Sequence, residues 1–250
     1  MEHYGDNFYR NRAAETNASV NVILDLVLRV VPRPRSAIDL GCGVGAWLAA
    51  LKEKGTERVL GLDGPWVNRD YLAILPSEFQ QHDFGSLISV DAFFDLAISL
   101  EVAEHLPIEQ ASNFVQSLVS LADFVLFSAS PPLQGGTNHV NEQPIEYWSE
   151  LFGRSGYVGI DCLRPYIWND ARILPWYRQN TILFVKNSRV EELSLPKALP
   201  TPNGYLHPEL FLKRLDESLR KLEELDTVRG AFWLLRQVIK RRIKAALRAS

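Results

Sequence analysis

A glycine-rich turn near residue 43 constrains the fold of this chain more than any other stretch. A short apolar run, residues 37–40, includes Asp39 and leads directly into the turn. Three glycines alternate there: Gly41, Gly43 and Gly45. A helical pattern begins at about residue 46, so the order predicts a strand, a tight turn and a helix. The N–H groups that open such a helix favour a carboxylate or a phosphate.

This spacing differs from the dinucleotide-binding fingerprint, which places its third glycine one residue later. On its own, the turn is also compatible with an α/β protein that binds no ligand there. The next strand adds a second signal, because the apolar run 58–62 closes on Asp63, 18 residues beyond Gly45. A carboxylate at the end of the second strand lies where it accepts both ribose hydroxyls of a bound nucleotide. The alternative is an Asp that caps a turn with Gly64.

A third motif follows the apolar strand pattern of residues 94–100. It reads Glu-Val-Ala-Glu-His-Leu over residues 101–106. Together with the glycine-rich turn and Asp63, this motif resembles the class I S-adenosylmethionine (SAM) methyltransferases. The resemblance covers about 150 of the 250 residues and implies SAM as the cofactor and methyl transfer as the activity. It says little about the acceptor.

The resemblance assigns residues to each part of SAM. Around the methionine part it implies Asp39, Gly41, Gly43 and Gly45. Asp63 would hold the ribose, and Asp83 with Phe84, after the third strand, would contact the adenine. Glu101, directly after the fourth strand, would line the same pocket. The cofactor site is thus predicted at the ends of four strands.

Strand and helix patterns alternate over residues 36–186. They predict an α/β fold: a Rossmann-like seven-stranded sheet, mostly parallel with an antiparallel last strand, helices on both faces and a C-terminal helical extension. We expect no helix between the last two strands, only a connection over residues 164–178 that is rich in aromatics and arginine. The predicted divisions are a lead-in helix and lid (1–35), a SAM-binding domain (36–188) and a linker with a helical extension (189–250).

Two histidines are candidate catalytic bases, because a hydroxyl acceptor must lose its proton during methyl transfer. His139 lies in a polar, glycine-rich loop over residues 134–144, above the expected acceptor site. His105 belongs to the motif after the fourth strand. For His139, a structural histidine bonded to the backbone is the alternative interpretation.

The same histidines also suit a divalent metal site with two carboxylates. Its members would be Glu101, Glu104, His105 and His139. This set resembles the metal site of small-RNA 2′-O-methyltransferases and of ubiquinone-pathway O-methyltransferases, and carboxylates with imidazoles suit Mg²⁺, Mn²⁺ or Zn²⁺. The same motif also occurs in metal-free relatives, in which it helps to build the SAM pocket.

The acceptor is the least constrained part of the prediction. Residues 135–148 and 176–180 resemble bacterial methyltransferases of glycan and glycosyltransferase pathways, which implies a saccharide hydroxyl, although amides and aromatic faces suit a phenol as well. We therefore expect O-methylation of a small-molecule or saccharide acceptor. Two alternatives stay open: a metal-assisted RNA 2′-O-methyltransferase, and a non-catalytic SAM-fold subunit that binds a partner.

Composition and charge narrow the partners. The formal net charge of −3 argues against a protein that coats nucleic acid, and no apolar run approaches the ~20 residues of a membrane span. Two cysteines and no visible signal peptide favour the cytoplasm. The basic amphipathic pattern over residues 228–248 permits three interpretations: docking on the protein's own core or a second subunit, contact of 228–250 with an anionic membrane surface, or an RNA arm.

Overall fold

The structure, a computed structural model, describes residues 6–85, 87–88, 90–194, 204–225, 232–233 and 235–236, without the side chains of 6–17 and 224–225. The chain divides into two compact units, residues 1–207 and 208–250. Across the described residues, every helix is too short or too polar to cross a bilayer.

A seven-stranded sheet forms the centre of the first unit. Its strands are β1 Ser36–Leu40, β2 Arg58–Asp63, β3 Phe79–Gln81, β4 Leu96–Leu100, β5 Phe124–Ser128, β6 Tyr157–Ile160 and β7 Ile182–Lys186. The spatial order is β3-β2-β1-β4-β5-β7-β6, with β7 antiparallel to both neighbours and the other pairs parallel. This architecture confirms the predicted Rossmann-like sheet. The strand order reverses between β1 and β4, so their carboxyl ends open the crevice in which such folds bind ligands.

Helices account for most of the remaining regular structure. The described α-helices are α1 Asp6–Val30, α2 Ala46–Glu53, α3 Ala111–Leu121, α4 Ile145–Arg154, α5 Arg164–Ile167, α6 Pro175–Asn180 and α7 Pro208–Leu225. Both α5 and α6 lie between β6 and β7, where the sequence predicted no helix, so that prediction was wrong. Each has a proline in its first turn, Pro165 and Pro175, whose fixed φ favours a helix start. With four and six residues, both are too short to show a helical apolar period.

Helices cover both faces of the sheet, because alternate side chains of a strand point to opposite faces. In β4, Leu96, Ile98 and Leu100 belong to the core that α1 and α2 share. Ala97 belongs instead to the core of α3 and α4. All five residues of β4 are buried, as expected for a parallel strand with both faces covered. The loops at the carboxyl ends of the strands are left to bind ligands.

The second unit is described over α7 and four residues beyond it. One face of α7 is apolar and exposed: Leu212, Leu215, Leu219 and Leu222 are between 44% and 62% exposed. The predicted basic helix over residues 228–248 lies almost entirely outside the described residues, as do the first five residues of the predicted lid. The predicted domain limits therefore stay predictions.

Candidate functional site

The glycine-rich turn after β1 is fixed by backbone hydrogen bonds to β2. The N–H groups of Gly41 and Cys42 both donate to the carbonyl of Leu62, over 2.8 and 3.1 Å. Gly41 has a φ of 86°, and a Cβ atom there would overlap the side chain of Val102. The turn therefore packs directly against the segment after β4, which carries the Glu-Val-Ala-Glu-His motif.

Gly43 leaves open space at the turn. Its φ is 54°, and a Cβ atom built on it would meet no other atom within 4 Å. Its N–H donates to Oδ2 of Asp63 over 2.6 Å, and Oδ1 of Asp63 accepts from the N–H of Gly64 over 2.6 Å. Burial raises the pKa of Asp63, and these two backbone donors oppose the rise. The carboxylate predicted to hold a ribose is thus fixed beside the open backbone of the turn.

Asp39 is a buried acid with one unpartnered oxygen. The residue is 2% exposed, and no described residue donates a hydrogen bond to its Oδ2. Burial and the neighbouring charge of Asp63 raise the pKa of Asp39 well above its usual range. A buried carboxylate in this state is costly when ionised, and a cationic group bound beside it would offset that cost.

The two residues predicted to contact adenine have different surroundings. Asp83 is exposed, and its Oδ1 accepts from the N–H of Gly85 over 3.0 Å. Phe84 is only 6% exposed and packs edge-on against Phe114, with ring centroids 5.8 Å apart. The adenine role of this pair stays a prediction, and the burial of Phe84 favours a packing role for that ring.

Glu101, directly after β4, has an unusual backbone conformation and a carboxylate held by amides. Its φ is 57°, in the left-handed region that non-glycine residues seldom adopt. The carboxylate accepts from Nδ2 of Asn180 over 3.0 Å and from Nε2 of Gln134 over 3.3 Å. Burial raises the pKa of Glu101, and the amide donors oppose that rise because they stabilise the charged form.

Glu104 is a completely buried acid in the same segment. No described residue makes a hydrogen bond of regular geometry to its carboxylate oxygens, although the backbone N–H groups of Glu104 and Ser130 and the carboxyl group of Glu101 lie close enough to shift its pKa. Burial and the charge of Glu101 raise the pKa of Glu104 well above its usual range. Its backbone carbonyl accepts from the N–H groups of Val140 and Asn141, over 2.9 and 3.0 Å. The loop after β5, residues 129–144, is therefore anchored beside this acid.

Two histidines meet next to Glu104. The ring centroids of His105 and His139 are 4.9 Å apart, and the ring planes are nearly perpendicular, at 87°. One ligand atom each from Glu104, His105 and His139 lie within 4.8 Å of one another. The fourth residue predicted for a metal, Glu101, lies close enough to Glu104 and His139 to act on their charges, but its carboxylate also accepts hydrogen bonds from two amides. The metal role of the four residues stays a prediction.

Glu142, which was not predicted from the sequence, organises the loop after β5. Its Oε1 lies 3.0 Å from Nδ1 of His139 and accepts from the N–H of Gly135 over 2.6 Å, and its Oε2 accepts from the N–H of Leu133 over 2.9 Å. With Nδ1 facing a carboxylate, Nε2 of His139 is the nitrogen left to accept a proton. The available signal was the spacing of three residues between His139 and Glu142 in a polar loop.

Backbone strain is concentrated around this cluster. Among the described residues, the non-glycine residues with positive φ are Glu101, Leu133 and Asn138, at 57°, 72° and 60°. The first follows β4, and the other two lie in the loop after β5. Such conformations cost about 1–3 kcal/mol each and persist most often at functional sites, where the surrounding structure imposes them. The strain therefore marks this end of the sheet as the candidate site.

A buried amide network joins the cluster to α6. Oε1 of Gln134 accepts from Nε2 of Gln179 over 2.9 Å and from Nδ2 of Asn180 over 3.0 Å. These α6 residues end the stretch 176–180, and Gln134 directly precedes the stretch 135–148. The fold thus brings the two stretches on which the acceptor prediction depends to one site.

Fold and site together define a class of protein. The strand order with an antiparallel β7, the glycine-rich turn after β1 and the acid that ends β2 are those of the class I SAM-dependent methyltransferases. The turn and the histidine–carboxylate cluster follow β1 and β4, the adjacent strands between which the order reverses.

Comparison with known proteins gives the family. The sequence profile described as "Methyltransferase domain" matches residues 9–156, more than half of the chain. The chain therefore belongs to the methyltransferase-domain family. A search of curated proteins finds no match.

Solved structures extend the comparison. An O-methyltransferase family protein from Burkholderia thailandensis is 15% identical with a TM-score of 0.51, over 72% of this chain and 58% of that chain. The methyltransferase domain of bacterial CtHen1-C is 22% identical with a TM-score of 0.49, over 69% and 97% of the two chains. Magnesium protoporphyrin IX methyltransferase from Synechocystis PCC 6803 is 19% identical with a TM-score of 0.46, over 74% and 90%. The first likeness supports the fold, and this chain spans less than two thirds of that protein.

Proposed function

We propose that this chain transfers the methyl group of SAM to a hydroxyl oxygen of a small-molecule or saccharide acceptor. The observation that carries the proposal is the His139–Glu142 pair beside Glu104 and His105, in a cluster whose β4 segment packs against the glycine-rich turn. A hydroxyl acceptor needs a base for its proton, and this cluster offers one next to the predicted cofactor site. The glycan-pathway resemblance of residues 135–148 supports a saccharide hydroxyl.

The residues around the turn fit SAM. The unpartnered Oδ2 of Asp39 suits the cationic amino group of the methionine part, and the open space at Gly43 lets a ligand approach the backbone. Asp63 accepts from Gly43, Gly64 and the side chain of Trp66. A carboxylate has about four acceptor positions, so one is left for a ribose hydroxyl. When bound, SAM supplies a methyl group on a sulfonium centre, and such a displacement depends mainly on how the reacting atoms are positioned.

His139 is the proposed base. Glu142 faces Nδ1 and fixes the orientation of the ring, which leaves Nε2 to take the proton of the acceptor hydroxyl. Glu142 also stabilises the imidazolium that forms, so it acts as a positioning residue through His139. His105, exposed at the edge of the same cluster, is the alternative base.

A metal-assisted version of the same reaction is the second candidate, and Glu104 favours it. Its buried carboxylate makes no hydrogen bond of regular geometry with a described residue and lies beside the carboxyl group of Glu101. Two adjacent buried acids are costly when both are ionised, and either a proton or a bound cation relieves that cost. Glu104, His105 and His139 would hold the ion, and this set of oxygen and imidazole donors suits Zn²⁺, Mn²⁺ or Mg²⁺. Such an ion would lower the pKa of the acceptor hydroxyl, and Glu142 would orient His139 as a ligand.

Transfer of a labelled methyl group tests the main proposal. The purified protein is titrated with S-adenosylhomocysteine (SAH) by calorimetry, and it is then incubated with methyl-labelled SAM and panels of neutral saccharides, phenols, amines and thiols. We expect SAH to bind and the label to appear as a methyl ether on a hydroxyl acceptor. Absence of SAH binding, or label on nitrogen or sulfur alone, would contradict the proposal.

Direct measurement of bound metal separates the two versions. Protein treated with EDTA is dialysed against Zn²⁺ or Mn²⁺, and bound metal is measured by elemental analysis beside methyl transfer. The variant is Glu104→Gln, with Glu109→Gln, an exposed acid, as the matched control. The metal-assisted version requires that EDTA abolishes transfer and that Glu104→Gln alone fails to retain the metal. Full activity in the EDTA-treated protein would leave His139 as the base.

A further inference from the structure

A cleft with aromatic walls lies beside α5 in the first unit. It has a volume of about 260 Å³ and is lined by Asp161, Arg164, Pro165, Trp168 and Tyr205. These residues lie outside both the predicted cofactor site and the histidine cluster. We propose that the cleft binds an uncharged sugar ring of the acceptor, a role that rests on the proposed O-methyl transfer.

Two aromatic rings that meet edge to face form part of the cleft wall, and the Arg164 guanidinium lies over the ring of one of them, Tyr205. The ring centroids of Trp168 and Tyr205 are 5.9 Å apart, with 79° between the ring planes, and Tyr205 is 44% exposed. Perpendicular rings do not sandwich a flat aromatic ligand between parallel faces. They suit a sugar, because its C–H groups carry a slight positive charge and pack against the negative face of an aromatic ring.

The polar side of the cleft is electrically balanced. Asp161 and Arg164 form a buried pair, 1% and 3% exposed, joined by two hydrogen bonds of 2.9 and 2.6 Å. The Arg164 guanidinium also lies over the ring of Tyr205, 4.7 Å from its centroid. An anionic ligand needs a cation whose charge is not already matched by a carboxylate, whereas hydroxyl groups both donate and accept hydrogen bonds. The matched charges therefore disfavour a phosphate or a carboxylate, and the mainly apolar accessible lining suits the C–H face of a neutral sugar ring.

One residue connects the cleft to the histidine cluster. The backbone carbonyl of Gln179 accepts from Arg164 over 3.1 Å, and its side chain donates to Gln134 in the amide network over 2.9 Å. Its Oε1 accepts from the N–H of His207 over 2.6 Å, two residues after Tyr205. The cleft and the cluster therefore share a buried supporting residue, so their positions are coupled through the interior.

The size of the cleft limits the ligand to about one ring. Sites for drug-sized ligands occupy about 300–1,000 Å³, and the volume of about 260 Å³ lies just below that range. One sugar residue of the acceptor would occupy the cleft, and the reacting hydroxyl would lie on the part of the acceptor that extends toward His139.

Ligand-observed NMR tests the cleft with defined probes. Saturation-transfer spectra are recorded at saturating SAH with methyl α-D-glucopyranoside, methyl α-D-mannopyranoside and methyl α-L-rhamnopyranoside, and with glucose 6-phosphate and p-cresol for comparison. The variants are Trp168→Ala and Tyr205→Ala. The matched control is Tyr166→Ala, which removes a tyrosine of α5 that is 66% exposed and lies outside the cleft. Calorimetry measures SAH binding by each variant.

We expect at least one neutral glycoside to bind the wild type and Tyr166→Ala, with a dissociation constant that rises about fivefold to tenfold in the cleft variants. SAH affinity should stay unchanged in all variants. If Trp168→Ala fails to bind SAH, that variant is set aside as misfolded and Tyr205→Ala alone tests the proposal. Binding of none of the three glycosides, tighter binding of glucose 6-phosphate or p-cresol, or unchanged affinity in the cleft variants would overturn the proposal. Loss of SAH binding in the wild type would instead contradict the proposed function.

Discussion

The glycine-rich turn and the loop after β5 belong to the same end of the sheet, but they are held in different ways. Most bonds of the turn are to the backbone of β2, since Gly41 and Cys42 both donate to the carbonyl of Leu62, and Gly43 adds one bond to the Asp63 carboxylate. The loop also has backbone bonds, to the carbonyl of Glu104, but it depends in addition on Glu142, which accepts from two backbone N–H groups and faces His139. Backbone hydrogen bonds constrain the sequence of the turn through its glycines, whereas the side-chain hydrogen bonds of the loop require particular residues.

This difference predicts different effects of substitution in the two regions. Backbone hydrogen bonds do not depend on the identity of the side chains. A loop held by a carboxylate network depends on every member of that network. Variants in the turn should therefore change stability and cofactor affinity, and variants in the loop should change catalysis while cofactor affinity is kept.

The largest effect is expected at His139. Removal of the proposed base in His139→Ala should lower kcat about 10²–10⁴-fold, the usual contribution of a positioned base, and change the SAH dissociation constant by less than about twofold. The first quantity is measured with the acceptor found by methyl-label transfer, and the second by calorimetry. If SAH affinity fell while kcat stayed unchanged, His139 would belong to the cofactor site, and the contrast between the turn and the loop would be wrong.

A matched pair of glycine variants sharpens the comparison within the turn. Gly41→Ala adds a left-handed alanine and an overlap with Val102, so it should lower the free energy of unfolding by about 2–4 kcal/mol. Gly43→Ala adds only the backbone strain, about 1–2 kcal/mol, but its Cβ enters the open space and should weaken SAH binding. Urea unfolding and SAH calorimetry measure both quantities. If Gly41→Ala and Gly43→Ala lowered the free energy of unfolding equally, the side chain of Val102 would have moved to make room for the new Cβ atom.

Asp63→Ala tests the ribose assignment. Loss of a charged hydrogen-bond acceptor worth about 1.5–3 kcal/mol should weaken SAH binding about 10- to 100-fold. The exposed Asp91→Ala is the control, and its affinity should match the wild type. Wild-type affinity in Asp63→Ala would remove Asp63 from the cofactor site.

Asp39→Asn should have the smallest effect on stability, and the direction of the change tests the assignment. The pKa of Asp39 is raised above 3.8 by burial and by Asp63, so the wild type loses stability as pH rises from 3.8 through the raised value. Asn does not titrate, and the variant without cofactor should therefore gain stability relative to the wild type at neutral pH, while its SAH affinity falls.

Asp170→Asn is the control, because its effect on stability at neutral pH should be opposite to that of Asp39→Asn. Hydrogen bonds from Arg172 lower the pKa of Asp170 to about 2, so its carboxylate contributes stability above pH 3.8 that is lost as pH falls toward 2. Its replacement should destabilise the protein at neutral pH. Thermal unfolding between pH 4 and 8 measures both variants, and a destabilised Asp39→Asn at pH 7 would contradict the assignment of a strained buried charge.

The strands and the turn were predictable because their signals are local. The apolar run 37–40 lies within β1, and the run 58–62 with Asp63 spans β2; both are short apolar runs bounded by breaks in the pattern. The helices α5 and α6 escaped prediction because four and six residues do not contain enough helical turns to show a period.

The candidate site was predictable only where its members belong to a motif. Glu104 and His105 share one motif, His139 lies in a loop of unusual composition, and the structure places their ligand atoms within 4.8 Å. The hydrogen bond between Gln134 and Asn180 joins residues 46 positions apart and depends on how α6 packs, which no local pattern reports. Phe84 was predicted from its position after the third strand, and its buried ring packs against Phe114; its adenine contact stays a prediction.

Glu142 also limits how this loop can change during evolution. One carboxylate binds the N–H groups of Leu133 and Gly135 and faces the ring of His139, so a substitution that reshapes the loop also releases the base. Single substitutions that replace only one of the two residues should therefore be harmful. We expect relatives to keep His139 and Glu142 together or to lose both. New acceptor preferences would arise instead through substitutions at residues that make no hydrogen bond to Glu142, such as those around Trp168.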